Sequence, residues 1–486
     1  MRLLSQKTIY FGLRNGLQLC IYMVYGMVYN IAMEKEKLVK VLEKQLNEEY
    51  YTAKELQYSN KAGTFLSPFE YKQFIDFKES LASFDGEFVT LLPLKAFNYK
   101  CIYCCLGNDL KSTIETYYSL SKDVSSIQDR FSSSFTESRI YSEIEGSLNV
   151  ENVPTTRRRL KELLEENAPA KSKNDIIIKN MKSAIDFVND LPEFNKENLF
   201  KLYSILSKDC LDKDDELKPG DYYRYDSVEI DRYHGCPHSE IDECMNSLFN
   251  YVNKMLKENK DSDLSAMLPH ICHYYIIYIH PYFDYNGRTA RMVSYWVYLL
   301  NGTHSFPPII SEAINQTKNK YYQAIENSRD SHNDLTYFLK YLFDIANDYV
   351  ICYQNLEAIE KDLKDKGIIL TDTELNYIKR ALISYESPFT YTDFLKMINV
   401  TMSKQGALKI LNKFVQYDLF IEKENKSKSK LFDINRKRFP YSFKNLGLRN
   451  ERPNKITIEA LNELEEMKKD KEKYPRHKTA KEALKK

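Results

Sequence analysis

The sequence predicts a mainly α-helical protein with one small β-hairpin, ending in a separate module of three helices and two strands. Apolar residues recur at helical spacing along most of the chain, most plainly in Ile241–Leu256. Leu264–Ile279 is apolar nearly all round, so we expect it to be the central buried helix. Pro219–Ile230 breaks this pattern, because a Pro-Gly turn precedes alternating residues that are typical of a hairpin.

Composition limits the classes of protein that the chain can form. Its 486 residues exceed one hydrophobic core, so about two to four modules are expected. The net charge of +1 argues against a chain that binds polyanions along its whole length. Its nine cysteines are odd in number, and the one cluster, Cys101, Cys104 and Cys105, lacks the second pair typical of a zinc site. We therefore predict reduced, mostly buried thiols in a cytoplasmic protein.

The two ends of the chain differ from its middle. Leu17–Ala32 is apolar apart from two polar residues, but it is shorter than the roughly 20 residues that a membrane span needs. We favour a dispensable extension over residues 1–32 of a cytoplasmic protein, with a membrane anchor through residues 17–32 as the alternative. Residues 449–486 are rich in lysine and glutamate and are predicted to form a charged helical tail.

Residues 280–291 read His-Pro-Tyr-Phe-Asp-Tyr-Asn-Gly-Arg-Thr-Ala-Arg. The Asn-Gly pair is a turn signal immediately before a helical pattern, and the first N–H groups of a helix form an anion site. Arg288 and Arg291, three residues apart, would lie on one face and add positive charge. These features predict a polyphosphate ligand, a divalent cation on Asp284 and a proton acceptor in His280.

This stretch resembles the signature of Fic-domain proteins, His-x-Phe-x-Asp/Glu-Gly/Ala-Asn-Gly-Arg-x-x-Arg. Six of the eight specified positions match, and Tyr282 and Tyr285 depart from the signature. Either aromatic ring can anchor the loop at Tyr282. A bulky side chain at Tyr285 is expected to narrow the phosphate pocket or to require a shifted backbone.

The resemblance implies a Fic-type helical bundle that transfers AMP from ATP, with Mg²⁺, to a hydroxyl side chain of a target protein or of itself. His280 would be the catalytic base and Asp284 the metal ligand. Gly287 and Arg288 favour adenylyl transfer over the kinase branch of the superfamily, which has lysine after the asparagine. The nucleotide-binding residues implied are Val228, Glu229, Ile230, Asp231, Asp284, Tyr285, Asn286, Gly287, Arg288, Thr289, Ala290, Arg291, Tyr321 and Tyr322.

An inhibitory glutamate is also implied by the resemblance. Related proteins carry a helix that ends Ser/Thr-x-x-x-Glu-Gly/Asn, whose glutamate pairs with the last arginine of the signature. Ser138–Gly146 is predicted to be a helix that ends at its glycine, which makes Glu145 the candidate partner of Arg291. Glu143 is a weaker candidate, because it would face another side of the helix.

The hairpin over 222–231 would be the flap of the resemblance, an exposed edge on which an extended target segment pairs. Residues 371–438 resemble a winged helix-turn-helix domain, which could bind DNA through its lysines or serve as a dimerisation or docking module. A homodimer is an open alternative. The predicted domains are residues 1–32, 33–109, a helical region with the inhibitory helix at 110–190, the Fic domain at 191–350, 371–438 and 449–486.

Two rival functions remain from the sequence. The same site could remove AMP or transfer another nucleotidyl or phosphoryl group. The other rival is a catalytically weak protein, with its pocket impaired by Tyr285, that acts as a DNA-binding regulator.

Overall fold

The structure is a computed structural model, which we describe over residues 32–82, 89–128, 133–230, 233–258, 263–302, 310–383, 388–398, 400–423 and 430–439. The chain divides into two compact units, residues 1–354 and 355–486. The N-terminal extension, apart from Ala32, and the predicted tail at 449–486 lie outside the described residues. Within the described ranges, no helix combines the length and apolar composition that crossing a membrane requires.

The first unit is built mainly from helices. They are α1 (Ala32–Asn47), α2 (Ala53–Tyr58), α3 (Pro68–Ala82), α4 (Asn108–Gln128), α5 (Ser133–Val150), α6 (Arg157–Leu164), α7 (Lys173–Asn189), α8 (Lys196–Ser207), α9 (Ile241–Glu258), α10 (Asp263–Ile279), α11 (Asn286–Asn301), α12 (Ile310–Gln316), α13 (Lys318–Asp330) and α14 (Thr336–Asp365), which continues into the second unit. The mainly α prediction is confirmed.

Two short antiparallel pairs complete the first unit. Strands β1 (Val89–Leu92) and β2 (Ile102–Cys105) pair with Val89 opposite Cys105. Strands β3 (Glu229–Ile230) and β4 (Tyr233–His234) form a smaller hairpin, with Glu229 opposite His234. All eight cysteines among the described residues are free and buried, as predicted.

The pair α10 and α11 forms the centre of this unit, with the most extensive helix–helix contact in the fold. Helix α10 is buried on nearly every side, as its apolar composition predicts. The loop between the two helices, residues 280–285, therefore emerges from the centre of the core. Its position is fixed by the two packed helices that it joins.

The N-terminal region at 33–109 packs onto the same unit through a buried ion pair. Lys78 Nζ on α3 donates to Asp334 Oδ2 at 2.6 Å, and the two side chains are 1% and 0% exposed. Burial alone would lower the pKa of Lys78, but Asp334 together with smaller contributions from neighbouring groups raises it. Tyr50 donates its hydroxyl to the same carboxylate. Three distant segments of the chain therefore converge on one buried charge.

The described part of the second unit contains α15 (Asp372–Ile383), α16 (Tyr391–Ile398) and α17 (Lys404–Gln416), followed by β5 (Phe420–Lys423) and β6 (Leu431–Ile434). The two strands are antiparallel, and a bridge joins Phe389 to Phe432. This is the predicted order of three helices and two strands. The assignment of a winged helix stays a prediction.

Candidate active site

The N-terminus of α11 has the character of an anion site. The helix begins at Asn286 after Tyr285, which has a φ of +68° and provides no side-chain cap. The first N–H groups of a helix have no intrahelical partner and lie at the positive end of its dipole. Without a capping side chain, these donors remain available to an anion. Binding of an anion at this turn stays a prediction.

Two residues of the motif, Tyr282 and Asn286, stabilise the turn before α11 by hydrogen bonds. The Asn286 side chain donates to the Tyr282 carbonyl at 2.9 Å and accepts from the Tyr282 N–H at 3.0 Å. The Tyr282 ring is fully buried and stacks on Tyr203 at 3.7 Å between ring centres. Tyrosine therefore anchors the loop, as expected. The Asn286 side chain closes the loop, so it is the backbone of this residue that faces the anion site.

Arg288 lies in the first turn with unused donor capacity. Its side chain is buried, and its Nε and Nη1 atoms have no hydrogen-bond partner. The centre of its guanidinium lies 3.4 Å from the centre of the Tyr285 ring, a cation–π contact. Tyr285 therefore supports Arg288 from its ring face, and its backbone takes the left-handed conformation that a smaller residue would adopt more easily. Thr289 and Ala290 are fully buried behind it.

Arg291 is fully engaged by the C-terminal end of α5. Its Nη2 donates to Glu151 Oε1 at 2.7 Å and to the Ser147 carbonyl at 3.1 Å, and its Nε donates to Ser147 Oγ at 3.0 Å. Burial alone would raise the pKa of Glu151, but Arg291 outweighs burial and holds it below its ordinary value. A side chain at Gly287 would collide with the Glu151 carboxylate. Glu151 thus occupies the anion site itself.

The prediction that Glu145 pairs with Arg291 is wrong. Helix α5 does not end at Gly146 but continues to Val150, which places Glu145 about 9 Å further back along the helix axis than Glu151. Gly146 is instead a close-packing position, since a Cβ atom there would lie 2.5 Å from the Glu312 backbone nitrogen. Glu143 accepts from the Ser311 N–H at 3.1 Å and does not meet Arg291.

A signal for Glu151 was present in the sequence. The pattern Ser/Thr-x-x-x-Glu-Gly/Asn is met in full by Ser147, Glu151 and Asn152. Asn152 has a φ of +57°, and asparagine tolerates this left-handed conformation better than most residues. Its side chain accepts from Lys318 Nζ at 2.8 Å. The preference for glycine or asparagine at this position thus follows from the helix end.

His280 stands at the opposite end of the loop. Its backbone N–H donates to the Ile276 carbonyl at 2.9 Å, and its carbonyl accepts from Arg224 Nε at 2.8 Å. Burial lowers the pKa of its imidazole to about 4, and Nδ1 has no hydrogen-bond partner. The ring is therefore neutral at pH 7. A neutral imidazole is the form that accepts a proton.

The flap lies against His280, but the hairpin is shorter and later than predicted. Its paired residues are 229–230 and 233–234, and the preceding residues back to Asp221 lie in bends and irregular backbone. A Cβ atom at Gly235 would lie 3.4 Å from the His280 Cβ atom and closer still to Val228. A larger residue at this position would have to displace the Val228 and Arg224 side chains. Glu229 is exposed and Ile230 half-buried, and Asp231 lies outside the described residues.

The predicted tyrosine pair, Tyr321 and Tyr322, lies near Arg291. Tyr321 is buried and its hydroxyl lies 2.9 Å from His273 Nε2, whereas Tyr322 is 43% exposed. Burial raises the pKa of Tyr322, and the Glu151 carboxylate raises it further. The pair therefore borders the Glu151 contact. His273 is a hydrogen-bonded core histidine, and no metal role was predicted for it.

Asp284 fits a magnesium ligand. Its side chain is half exposed, one oxygen accepts from the Tyr285 N–H at 2.5 Å, and Arg288 Nη2 lies 3.8 Å from the same oxygen. Mg²⁺ in nucleotide sites commonly binds one or two carboxylates together with water and substrate phosphates. A single oriented carboxylate beside an anion site has that character.

Comparison with known proteins agrees with this site. Residues 193–298 match the family model described as Fic/DOC family. A segment of 72 residues is 33% identical to the protein named "Protein adenylyltransferase Fic" from Nematostella vectensis, and the match spans only 15% of each chain.

Solved structures give more distant likenesses. A Fic family protein from Desulfovibrio desulfuricans G20 is 15% identical, with a TM-score of 0.43, over 67% of this chain and 96% of its own. A Fic domain-containing signalling protein from Bacteroides thetaiotaomicron is 18% identical, with a TM-score of 0.38, over 50% and 95%. Fic-1 from C. elegans is 13% identical, with a TM-score of 0.41, over 71% and 94%. From the family-model match and the motif at the centre of the fold, the chain carries a domain of the Fic/DOC family.

Proposed function

We propose that this protein transfers AMP from ATP to a serine, threonine or tyrosine hydroxyl of a target protein or of itself. The observation that carries the proposal is the uncapped N-terminus of α11, with Arg288 beside it and a neutral His280 at the other end of the same loop. An anion site and a proton acceptor held on one rigid loop supply the two needs of nucleotidyl transfer.

In this reaction the target hydroxyl loses its proton to His280 and attacks the α-phosphorus of ATP. A bond forms between the target oxygen and that phosphorus, the bond to the bridging oxygen breaks, and pyrophosphate leaves. Arg288 and the first N–H groups of α11 would stabilise the negative charge on the phosphates. Asp284 would hold Mg²⁺, which neutralises phosphate charge when bound. Tyr321 and Tyr322 would border the nucleotide.

Glu151 supports a proposal of autoinhibition at the same site. Its carboxylate occupies space over Gly287 and pairs with Arg291, so it competes with a phosphate for the same donors. Two negative groups cannot share one anion site without a large electrostatic penalty. Release of the C-terminal end of α5 would therefore be needed before ATP can seat its γ-phosphate. We therefore assign to Glu151 the inhibitory role that the sequence predicts for Glu145.

The partners are proposed from the same geometry. An extended target segment would pair with the exposed part of the flap at Glu229, which places its hydroxyl near His280. In the second unit, α17 carries Lys404 and Lys409, which would contact DNA phosphates. DNA binding is therefore a proposed role for residues 371–438. Homodimerisation and a cytoplasmic location also stand as proposals.

Labelled ATP tests the proposed reaction. The Glu151→Gly chain is incubated in a cell lysate with Mg²⁺ and ATP labelled at the α-phosphate or, separately, at the γ-phosphate. Adenylyl transfer predicts protein labelling from the α-label only, with labelling lost in a Glu151→Gly/His280→Ala double variant. Labelling from the γ-label only would show phosphoryl transfer instead. If neither label is incorporated and calorimetry detects no ATP binding, the enzyme proposal is wrong.

A further inference from the structure

Outside the site described above, three metal-ligand side chains converge at the junction of the N-terminal region with the turn between α13 and α14. Asp76 and Glu79 lie one helical turn apart on α3, and His332 belongs to the turn. One donor atom from each side chain lies within 4.8 Å of the other two. The mechanism proposed above uses none of these residues.

The distances from His332 suit coordination of a shared ion, although the contact to Glu79 also qualifies as a long hydrogen bond. His332 Nδ1 lies 3.4 Å from Glu79 Oε2 and 3.7 Å from Asp76 Oδ1. Hydrogen bonds from nitrogen to oxygen normally span about 2.7–3.2 Å, so both separations are long. Around a tetrahedral zinc ion with bonds of about 2.0–2.2 Å, neighbouring ligand atoms lie about 3.3–3.6 Å apart. The two separations from His332 are therefore close to those around a bound ion, and the two carboxylate oxygens lie within 4.8 Å of each other.

The surrounding contacts orient the donors. The Lys100 N–H donates to the other oxygen of Glu79 at 2.6 Å, which leaves Oε2 directed towards His332. The Tyr99 ring stacks on the His332 ring at 4.2 Å between centres and with 16° between planes. Support of this kind around a ligand fixes its orientation and raises metal affinity. The Glu79 carboxyl is 3% exposed and the Asp76 carboxyl 50%, so the cluster opens to water on one side only.

We propose that Asp76, Glu79 and His332 bind one divalent transition-metal ion of the zinc type, with solvent completing its coordination. One imidazole nitrogen and two carboxylate oxygens suit such an ion better than Mg²⁺ or Ca²⁺, which prefer oxygen alone. The ion would join α3 to the turn that follows α13, the helix that carries Tyr321. Its role is structural, since it lies apart from the reacting groups.

Metal binding by the full chain tests this proposal. The protein is stripped with a chelator, dialysed and titrated with Co²⁺ alone, with Zn²⁺ used to displace it. We expect one tight site with a visible absorption band that Zn²⁺ removes, and a Zn²⁺-dependent rise in Tm of roughly 2–5 °C. His332→Gln and Asp76→Asn should each weaken binding by about tenfold or more and abolish the rise in Tm.

Two controls make the result decisive. His238→Gln replaces an exposed histidine elsewhere and should bind as the parent chain does. Circular dichroism checks the fold, and if His332→Gln fails to fold, the half-exposed Asp76→Asn decides. Binding that is equal in the parent chain and in Asp76→Asn would reduce the cluster to an ion pair and overturn the proposal. Because Co²⁺ is titrated without ATP, this outcome is independent of AMP transfer.

Discussion

Glu151 Oε1 lies 2.7 Å from Arg291 Nη2, at the mouth of an anion site that the same carboxylate covers. The Arg291 side chain is 2% exposed, whereas the Glu151 side chain is 29% exposed. Burial alone would lower the pKa of Arg291, yet Glu151 raises it above its ordinary value. The two charges therefore stabilise each other, and the contact closes the site from within the chain.

Helix α5 should respond to a change at Gly146. A methyl group there would lie 2.5 Å from the Glu312 nitrogen, so Gly146→Ala should push α5 away from α12 and destabilise the protein by about 1–3 kcal/mol. If Glu151 inhibits, AMP transfer should rise although Glu151 is unchanged. Chemical denaturation and labelling measure the two effects. Gly406→Ala is the control, because a Cβ atom there meets only ordinary contacts.

The Tyr285 ring should strengthen ATP binding by supporting the Arg288 guanidinium. In a Glu151→Gly background, Tyr285→Phe keeps the ring and removes only the hydroxyl, whose neighbour is the Cys210 thiol, so ATP binding should hold. Tyr285→Ala removes the surface beneath Arg288 and should weaken ATP binding by roughly 3- to 30-fold, the range of a cation–π contact worth about 0.5–2 kcal/mol. Calorimetry with Mg²⁺ and ATP measures both. Tighter binding in Tyr285→Ala would instead mean that the ring obstructs the pocket.

The pH dependence of transfer should reflect the buried His280. Its pKa is lowered to about 4 by burial, against an ordinary value of about 6.5. The base stays neutral until the pH falls towards 4, so kcat/KM of the Glu151→Gly chain should stay level between about pH 8 and 5.5. A histidine with an ordinary pKa would already lose activity below pH 6.5. A profile that falls through 6.5 would contradict the assigned environment.

Stability should depend on the ion pair that joins the N-terminal region to the rest of its unit. Lys78→Met leaves the Asp334 carboxylate buried without its cation and should cost about 3–5 kcal/mol of unfolding free energy. Adding Asp334→Asn should recover part of that loss, because no charge is then left unpaired. Urea denaturation of both variants measures this. Lys40→Met, on an exposed face of α1, should change little.

Prediction from the sequence succeeded where one physical signal dominated. The apolar composition of α10 admits no exposed face, and the Asn-Gly turn correctly predicts the start of the helix that carries the two arginines. Both features are local in the chain. Their consequences, a central helix and an uncapped helix start, therefore needed no knowledge of distant contacts.

The sequence prediction of the inhibitory glutamate is wrong because a glycine in a helical pattern can either end the helix or allow close packing. Gly146 was interpreted as the left-handed residue that ends a helix, but it serves the close approach of α12, a contact between segments far apart in the chain. The left-handed residue is Asn152. Ile144 and Leu148, both fully buried and four residues apart, continue the apolar stripe through Gly146 and indicate the longer helix. The partners of Lys78 and His332 could not be predicted from the sequence for the same reason, since each contact joins residues more than 240 positions apart.

One comparison tests the central claim, that Glu151 restrains adenylyl transfer at the α11 site. Incorporation from α-labelled ATP is measured side by side for the parent chain, Glu151→Gly, Glu145→Gly and Glu151→Gly/His280→Ala. We predict at least about tenfold more label in Glu151→Gly than in the parent, parent-level label in Glu145→Gly, and loss of label in the double variant. Activation by Glu145→Gly but not by Glu151→Gly would contradict the account.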